Sequence, residues 1–175
     1  YEPALPLPKN VAKAPYFLEY DLKKGIPASL NSLEVIYHSH LLEHLDHESG
    51  IIFLRNCYQC LSEDGVMIFA LPDLKIWCDN YVNNNKIFFQ KYKNQYYYGL
   101  EKSWKDYNSK GHVFSSMLYN WGHKMVYDFA SLEEKLSKIG YKNIYRAKWG
   151  YSDLIPSLKE LEPLQSDRKF ESLVI

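Results

Sequence analysis

Apolar residues in this chain come mostly in short unbroken runs, separated by stretches in which they recur at helical spacing. The runs "PYFLEYDL", "LEVIY" and "VMIFALPD" predict buried strands. The first ends at Asp21, the second spans Leu33 to Tyr37, and the third is closed by Pro72. From His47 to Cys60 the period changes: Ile51, Leu54, Tyr58 and Leu61 fall on one helical face, and "SEDG" then predicts a turn. Leu74, Trp77, Cys78 and Tyr81 give another helical stripe. "SLEEKLSKIG" is the clearest helix, with Ser131 and Glu134 as a capping box and Gly140 as the stop. "NIYRAKW" and "FESLVI" are further strand candidates. Strands that are continuous apolar runs, alternating with helices, predict a mostly parallel sheet covered on both faces.

Two regions lack this order. "YEPALPLPKN" carries Pro3, Pro6 and Pro8, and its missing N–H groups predict an extended arm. Residues 82–110 are polar and aromatic without a clean period, which predicts partial helix and a long loop. Within them, "KIFFQKYKNQYYYGLEKSWKDY" mixes lysines with phenylalanines and tyrosines. Such interleaving is open to three readings: a buried insertion, a lid over a substrate, or a surface that stacks bases.

Composition narrows the choice. Twenty-one basic residues balance twenty-one acidic ones, so no field draws the chain to a polyanion, and we expect no nucleic-acid partner. No apolar run approaches the ~20 residues of a membrane span. Cys57, Cys60 and Cys78 are too few and uneven for a disulfide framework, which points to a reducing, cytoplasmic setting. Homodimerisation stays open. The chain starts at Tyr1 and stops inside an apolar run, so we expect flanking sequence in the gene product.

The chemistry concentrates in "VIYHSHLLEHLDHESG", which holds His38, His40, His44 and His47 out of six histidines in all. HLLEH fits the H-x-x-E-H pattern of one group of zinc peptidases. That geometry needs both histidines on one helix face, whereas a strand runs directly into His40, so we expect no metal. His44 and His47 then read as packed or hydrogen-bonded imidazoles. Parallel-sheet proteins bind ligands outside the carboxyl ends of their strands. Here those ends carry Asp21 and Leu22, then Tyr37 to His40, then Leu71 to Asp73.

"YDLKKGIP", "SLEVIYHSHLLEHLD" and "FLRNCYQCLSEDGVMIFALPDL" together resemble the central part of a class I S-adenosylmethionine-dependent methyltransferase. More narrowly, they are similar to small predicted methyltransferases of polysaccharide and cell-surface glycan gene clusters. "WGHKMVYDFASLEEKLSKIGYKNI" resembles the later segment of that group, where a histidine and a Tyr-Asp pair precede the last helix. The resemblance implies a Rossmann-like three-layer α/β sandwich, one domain over residues 1–175, with an aromatic insertion or lid around 82–127. It implies S-adenosylmethionine as cofactor, S-adenosylhomocysteine as product, and a small-molecule or saccharide acceptor methylated on oxygen or nitrogen.

Carried onto this chain, the resemblance gives Asp21 the adenine amino group and Leu22 a backbone contact to the ring. Tyr37, His38, Ser39 and His40 would line the methionine end, with Leu41 to His44 packed behind. Cys57 and Cys60 would lie within a helix. The family's first strand, its Gly-rich loop and the ribose-binding acid would stand before residue 1, since Gly25 is the first glycine. His40 and His123 are the candidate bases, because imidazole titrates in the useful range. Trp121, Tyr127 and Asp73 would shape the acceptor pocket. The other readings are a non-catalytic binding or assembly module on the same sheet, and a zinc hydrolase built on HLLEH.

Overall fold

The computed structural model describes residues 18–97, 102–152, 154–155 and 167–175. Its centre is a parallel crossover unit of strand β1 (Leu33–Ser39), helix α1 (His47–Cys60) and strand β2 (Leu61–Pro72). Ile36 pairs with Met67 and Ser39 with Ala70, so the two strands end side by side. Strand β3 (Ser172–Val174) runs antiparallel along the other edge of β2, Leu71 opposite Leu173, giving the order β1-β2-β3. Among the described residues the sheet is therefore mixed, where a mostly parallel one is expected.

Alternation along β2 divides the core. Phe69 and Leu71 face a large cluster with Ile36, Leu42, Phe53, Leu54, Leu132 and Leu136. Ile68 and Ala70 face Trp149, Ile155 and Val174. Both faces are covered, the first by helices and the second by irregular chain that carries Trp149 and Ile155. Helix α1 starts at Asp46, whose carboxylate accepts from Ser49 N–H at 2.9 Å. Its inner face is Gly50, Phe53, Leu54, Cys57 and Cys60. The expected stripe of Ile51, Leu54 and Tyr58 is rotated, and Tyr58 stands 43% exposed. Gly50 faces Tyr127 and Leu42, where a Cβ would stand 3.4 Å from the Tyr127 hydroxyl and 3.5 Å from Leu42, in ordinary contact.

Helices α2 (Leu74–Val82), α3 (Lys86–Tyr96), α4 (Lys102–Lys105) and α5 (Lys110–Tyr119) follow β2. Trp77 of α2 is fully buried among Phe88, Phe89, Tyr92, Val113 and Met117, a separate aromatic core. The described part of the aromatic segment is thus largely helical, with Phe88, Phe89, Tyr92 and Tyr97 packed. Helix α6 (Phe129–Ile139) closes over α1. Its cap is Asp128, which accepts from Ser131 N–H while the Ser131 hydroxyl receives the Asp128 N–H. The capping box sits one turn earlier than Ser131 with Glu134, and Glu134 instead pairs with Lys138. Gly140, at φ 124°, ends the helix as expected.

Two expected strands are not assigned among the described residues. In "PYFLEYDL", Leu18 and Tyr20 are exposed, and Asp21 caps a turn of 3-10 helix over Leu22–Lys24; Pro15 to Phe17 lie outside the described residues. "NIYRAKW" lies beside β3 with one backbone bond, Ala147 N–H to Val174 C=O at 2.9 Å, and no assigned ladder. "SEDG" is not a free turn. Leu33 pairs with Leu61 and Val35 with Val66, so residues 62–65 bulge from the ladder. A Cβ on Gly65 would approach Leu33 C=O to 2.8 Å, which is why glycine ends the bulge. Among the described residues no helix is long and apolar enough to cross a membrane.

Candidate functional site

β1 ends in a sharp change of direction. His40 N–H still donates to Ala70 C=O at 2.8 Å, yet His40 takes φ 49°, a left-handed conformation that costs a non-glycine residue ~1–2 kcal/mol. This kink sends the chain into a 3-10 turn, Leu42–His44, that places Glu43 beneath the strand tips. His40 Nδ1 lies 3.2 Å from Glu43 Oε1. Its Nε2 lies 3.1 Å from Ser172 Oγ, whose own hydroxyl donates to Arg168 C=O. Both ring nitrogens of His40 are engaged, so the ring is held in place and is not a free base.

Glu43 is the least expected member. It is 1% exposed, and His44 Nε2 also approaches it, at 4.0 Å. The His40 contact is close but poorly aligned, leaving both carboxylate oxygens without a well-formed hydrogen bond. Burial works to raise the Glu43 pKa, but the His40 contact and charge, with help from His44, hold it below the ordinary value. The carboxylate stays a buried anion.

The third imidazole arrives from far along the chain. Asn120 to Met125 fold onto the 3-10 turn: Lys124 and Met125 N–H both donate to Glu43 C=O, at 2.8 and 3.1 Å. Trp121 and Gly122 make the turn with φ 63° and 75°. A Cβ on Gly122 would stand 3.8 Å from His44 Nδ1, so the loop lies directly against that ring. His123 follows, edge-on to His44 with ring centroids 4.8 Å apart. Its Nδ1 donates to Met117 C=O at 2.6 Å, which leaves Nε2 with the lone pair. Burial lowers the His123 pKa against the opposing pull of the Met117 carbonyl and Glu43, so the ring is neutral near pH 7.

The remaining expected residues are dispersed. Asp73 is buried with both oxygens committed: one caps α2 through Lys75 N–H at 2.9 Å, the other takes Arg146 Nη1 at 2.9 Å. Tyr127 is a core residue, 2% exposed; burial first, and Glu43 second, push its phenol up to about 12. Trp121 is 42% exposed and reaches Tyr92. His38 stacks on Phe69 at 4.6 Å inside the main core, while Tyr37 packs on the opposite face of the sheet with Ser39 beyond it. Asp21 is exposed and accepts from Lys23 N–H at 3.1 Å, and Leu22 packs on the main core. Among the described residues no hydrogen bond, ion pair or ring contact joins Asp21 to the histidines.

Sequence reasoning missed Glu43 as the centre, and it missed Ser172 and Glu171. The signal for Glu43 was a carboxylate between two histidines. For Glu171 it was an acid inside the run "FESLVI". Glu171 is 3% exposed beside Tyr96 and Trp77, and burial pushes it up to about 7. A cavity of about 1310 Å³ lies elsewhere, between the first half of β2 and residues 140–152, and shares no lining residue with the histidine cluster. Size alone does not make it the site, since the perturbed polar groups gather at the strand tips. Neither a protein-family model nor a curated protein matches the chain.

Proposed function

We propose that this chain is an S-adenosylmethionine-dependent methyltransferase with a Rossmann-like sheet, acting on an oxygen or nitrogen of a small molecule or saccharide. One observation carries the reading. A parallel β1–α1–β2 crossover ends both strands at one edge, and the polar groups with unusual environments gather there. That edge is where open α/β sheets bind ligands, and an antiparallel strand such as β3 is a common edge to such sheets. Methyl transfer asks little covalent chemistry of the protein. It needs an aligned nucleophile and exclusion of water, with a proton acceptor when the nucleophile is a hydroxyl. The Glu43, His44 and His123 cluster would meet the acceptor, and the exposed Asp21 would meet the adenine amino group.

Calorimetric titration of the protein with S-adenosylhomocysteine tests this reading. Asp21→Ala should weaken binding by about 10- to 100-fold, the loss of a charged hydrogen-bond partner being ~1.5–3 kcal/mol. The mutant should fold normally, because Asp21 is exposed. Absence of any S-adenosylhomocysteine binding would favour a non-catalytic module on the same sheet. Equal affinity in the mutant would remove Asp21 from the site.

A further inference from the structure

We infer that Glu43, His44 and His123 form a binding site for a divalent transition metal of the zinc class, with His40 orienting the carboxylate from behind. One ligand atom from each of the three lies within 4.8 Å of the others. Tetrahedral coordination at ~2.0–2.2 Å needs ligand atoms about 3.3–3.6 Å apart, so closure asks each side chain for shifts of about an ångström or less. Two imidazoles and one carboxylate form a borderline donor set that suits zinc, iron or cobalt and disfavours calcium or magnesium.

Three independent features point the same way. The first is the Glu43 carboxylate, 1% exposed with neither oxygen in a well-formed hydrogen bond, an arrangement that calls for a nearby positive charge. The second is the His123 tautomer. Nδ1–H on the Met117 carbonyl is the backing that metal-bound histidines use, and it leaves Nε2 as the nitrogen able to coordinate. The third is access. The His44 side chain is 36% exposed, so an ion can enter past it, and three protein ligands leave a position for water or an acceptor oxygen.

This site is not the one HLLEH advertises. The peptidase pattern pairs its two histidines, but the kink at His40 turns that ring toward Ser172 and makes it a positioning residue. The loop at Trp121–His123 supplies the missing imidazole. With a metal present His123 is a ligand rather than a base. The inference rests on the cluster alone, and its test uses neither cofactor nor acceptor.

The tag-free chain, stripped with chelator, is titrated with Co²⁺ and then with Zn²⁺ against a chromogenic chelator. The expected result is one equivalent of each, with visible ligand-field bands for bound Co²⁺ that Zn²⁺ displaces. His44→Gln and His123→Gln should each weaken binding by 10²-fold or more. His40→Ala should weaken it by about 10- to 100-fold, the usual loss for an outer partner. His47→Ala should change nothing, since His47 faces Lys135 and lies outside the cluster. Because His44 is half-exposed, His44→Gln should keep the native circular dichroism and decides the matter even where a variant at buried Glu43 fails to fold. No ligand-field bands, or equal uptake in wild type and His44→Gln, would overturn the site.

Discussion

His38 lies between Phe69, stacked at 4.6 Å, and Phe53, edge-on at 5.2 Å, and neither of its nitrogens has a hydrogen-bond partner. Burial, only partly opposed by Glu43, lowers its pKa from 6.5 to about 3. The ring is a neutral core residue with two orphaned polar atoms. His38→Phe should therefore stabilise the fold by ~1–3 kcal/mol, the usual cost of an unsatisfied buried polar group. The gain should be larger at pH 5 than at pH 8. Below 6.5 the unfolded chain takes up a proton that the folded ring refuses, so wild type loses stability as pH falls from 6.5 toward 3. Urea denaturation at the two pH values checks this, and an equal gain at both would show that the ring titrates normally. Part of the arrangement is legible in the sequence, because period-two alternation already puts His38 and Ser39 on opposite faces of β1. Glu43 was not legible, since His123 reaches its neighbourhood only through a distant loop, and Ser172 holds its partner His40 only through β3.

Elements were read well where a local signal agreed with the packing. β1, α1, β2 and the stop at Gly140 follow the hydrophobic pattern. The start of α6 does not, because the backbone caps the helix at Asp128, one turn before the expected Ser131. Asp128 can receive Ser131 N–H while Ser131 answers with its hydroxyl, and starting there adds Phe129 to the packed side. Asp128→Ala should lower stability by ~0.5–2 kcal/mol, whereas Glu134→Ala on the solvent side should change the denaturation midpoint very little. If Glu134→Ala proved the more damaging, the helix would begin where the sequence pattern alone puts it. The apolar run ending at Asp21 misled for a related reason. Apolar content qualifies a segment as a strand, but a strand also needs a partner edge, and none is assigned to residues 18–21.

At the scale of the whole molecule, the aromatic helices and the sheet meet at Glu171. Its C=O accepts from Asp73 N–H at 2.9 Å beside the ladder, and its side chain is buried close to Tyr96 and Trp77. The groups facing it are Tyr96, Trp77 and Arg168, which favour the anion, and Glu43, which opposes it; burial outweighs them and pushes its pKa up to about 7. A carboxyl with a raised folded pKa holds its proton in the fold while the unfolded chain releases it. Its contribution is therefore whole below 4.5 and is lost as pH rises to about 7. His38 has the opposite slope between about 3 and 6.5, so the two largely cancel from 4.5 to 6.5. The expected profile is a broad plateau in that window, an acid limb from His38 below it, and a smaller decline up to neutral pH from Glu171. Glu171→Gln keeps the shape and removes the titration. Relative to wild type it should gain stability between pH 4.5 and pH 8, on the order of 3 kcal/mol for a gap of this size. Urea titrations of both proteins from pH 4.5 to 8 give the comparison. Parallel stability curves would mean that Glu171 ionises in the fold as it does in water, and that Arg168 and Tyr96 hold its charge after all.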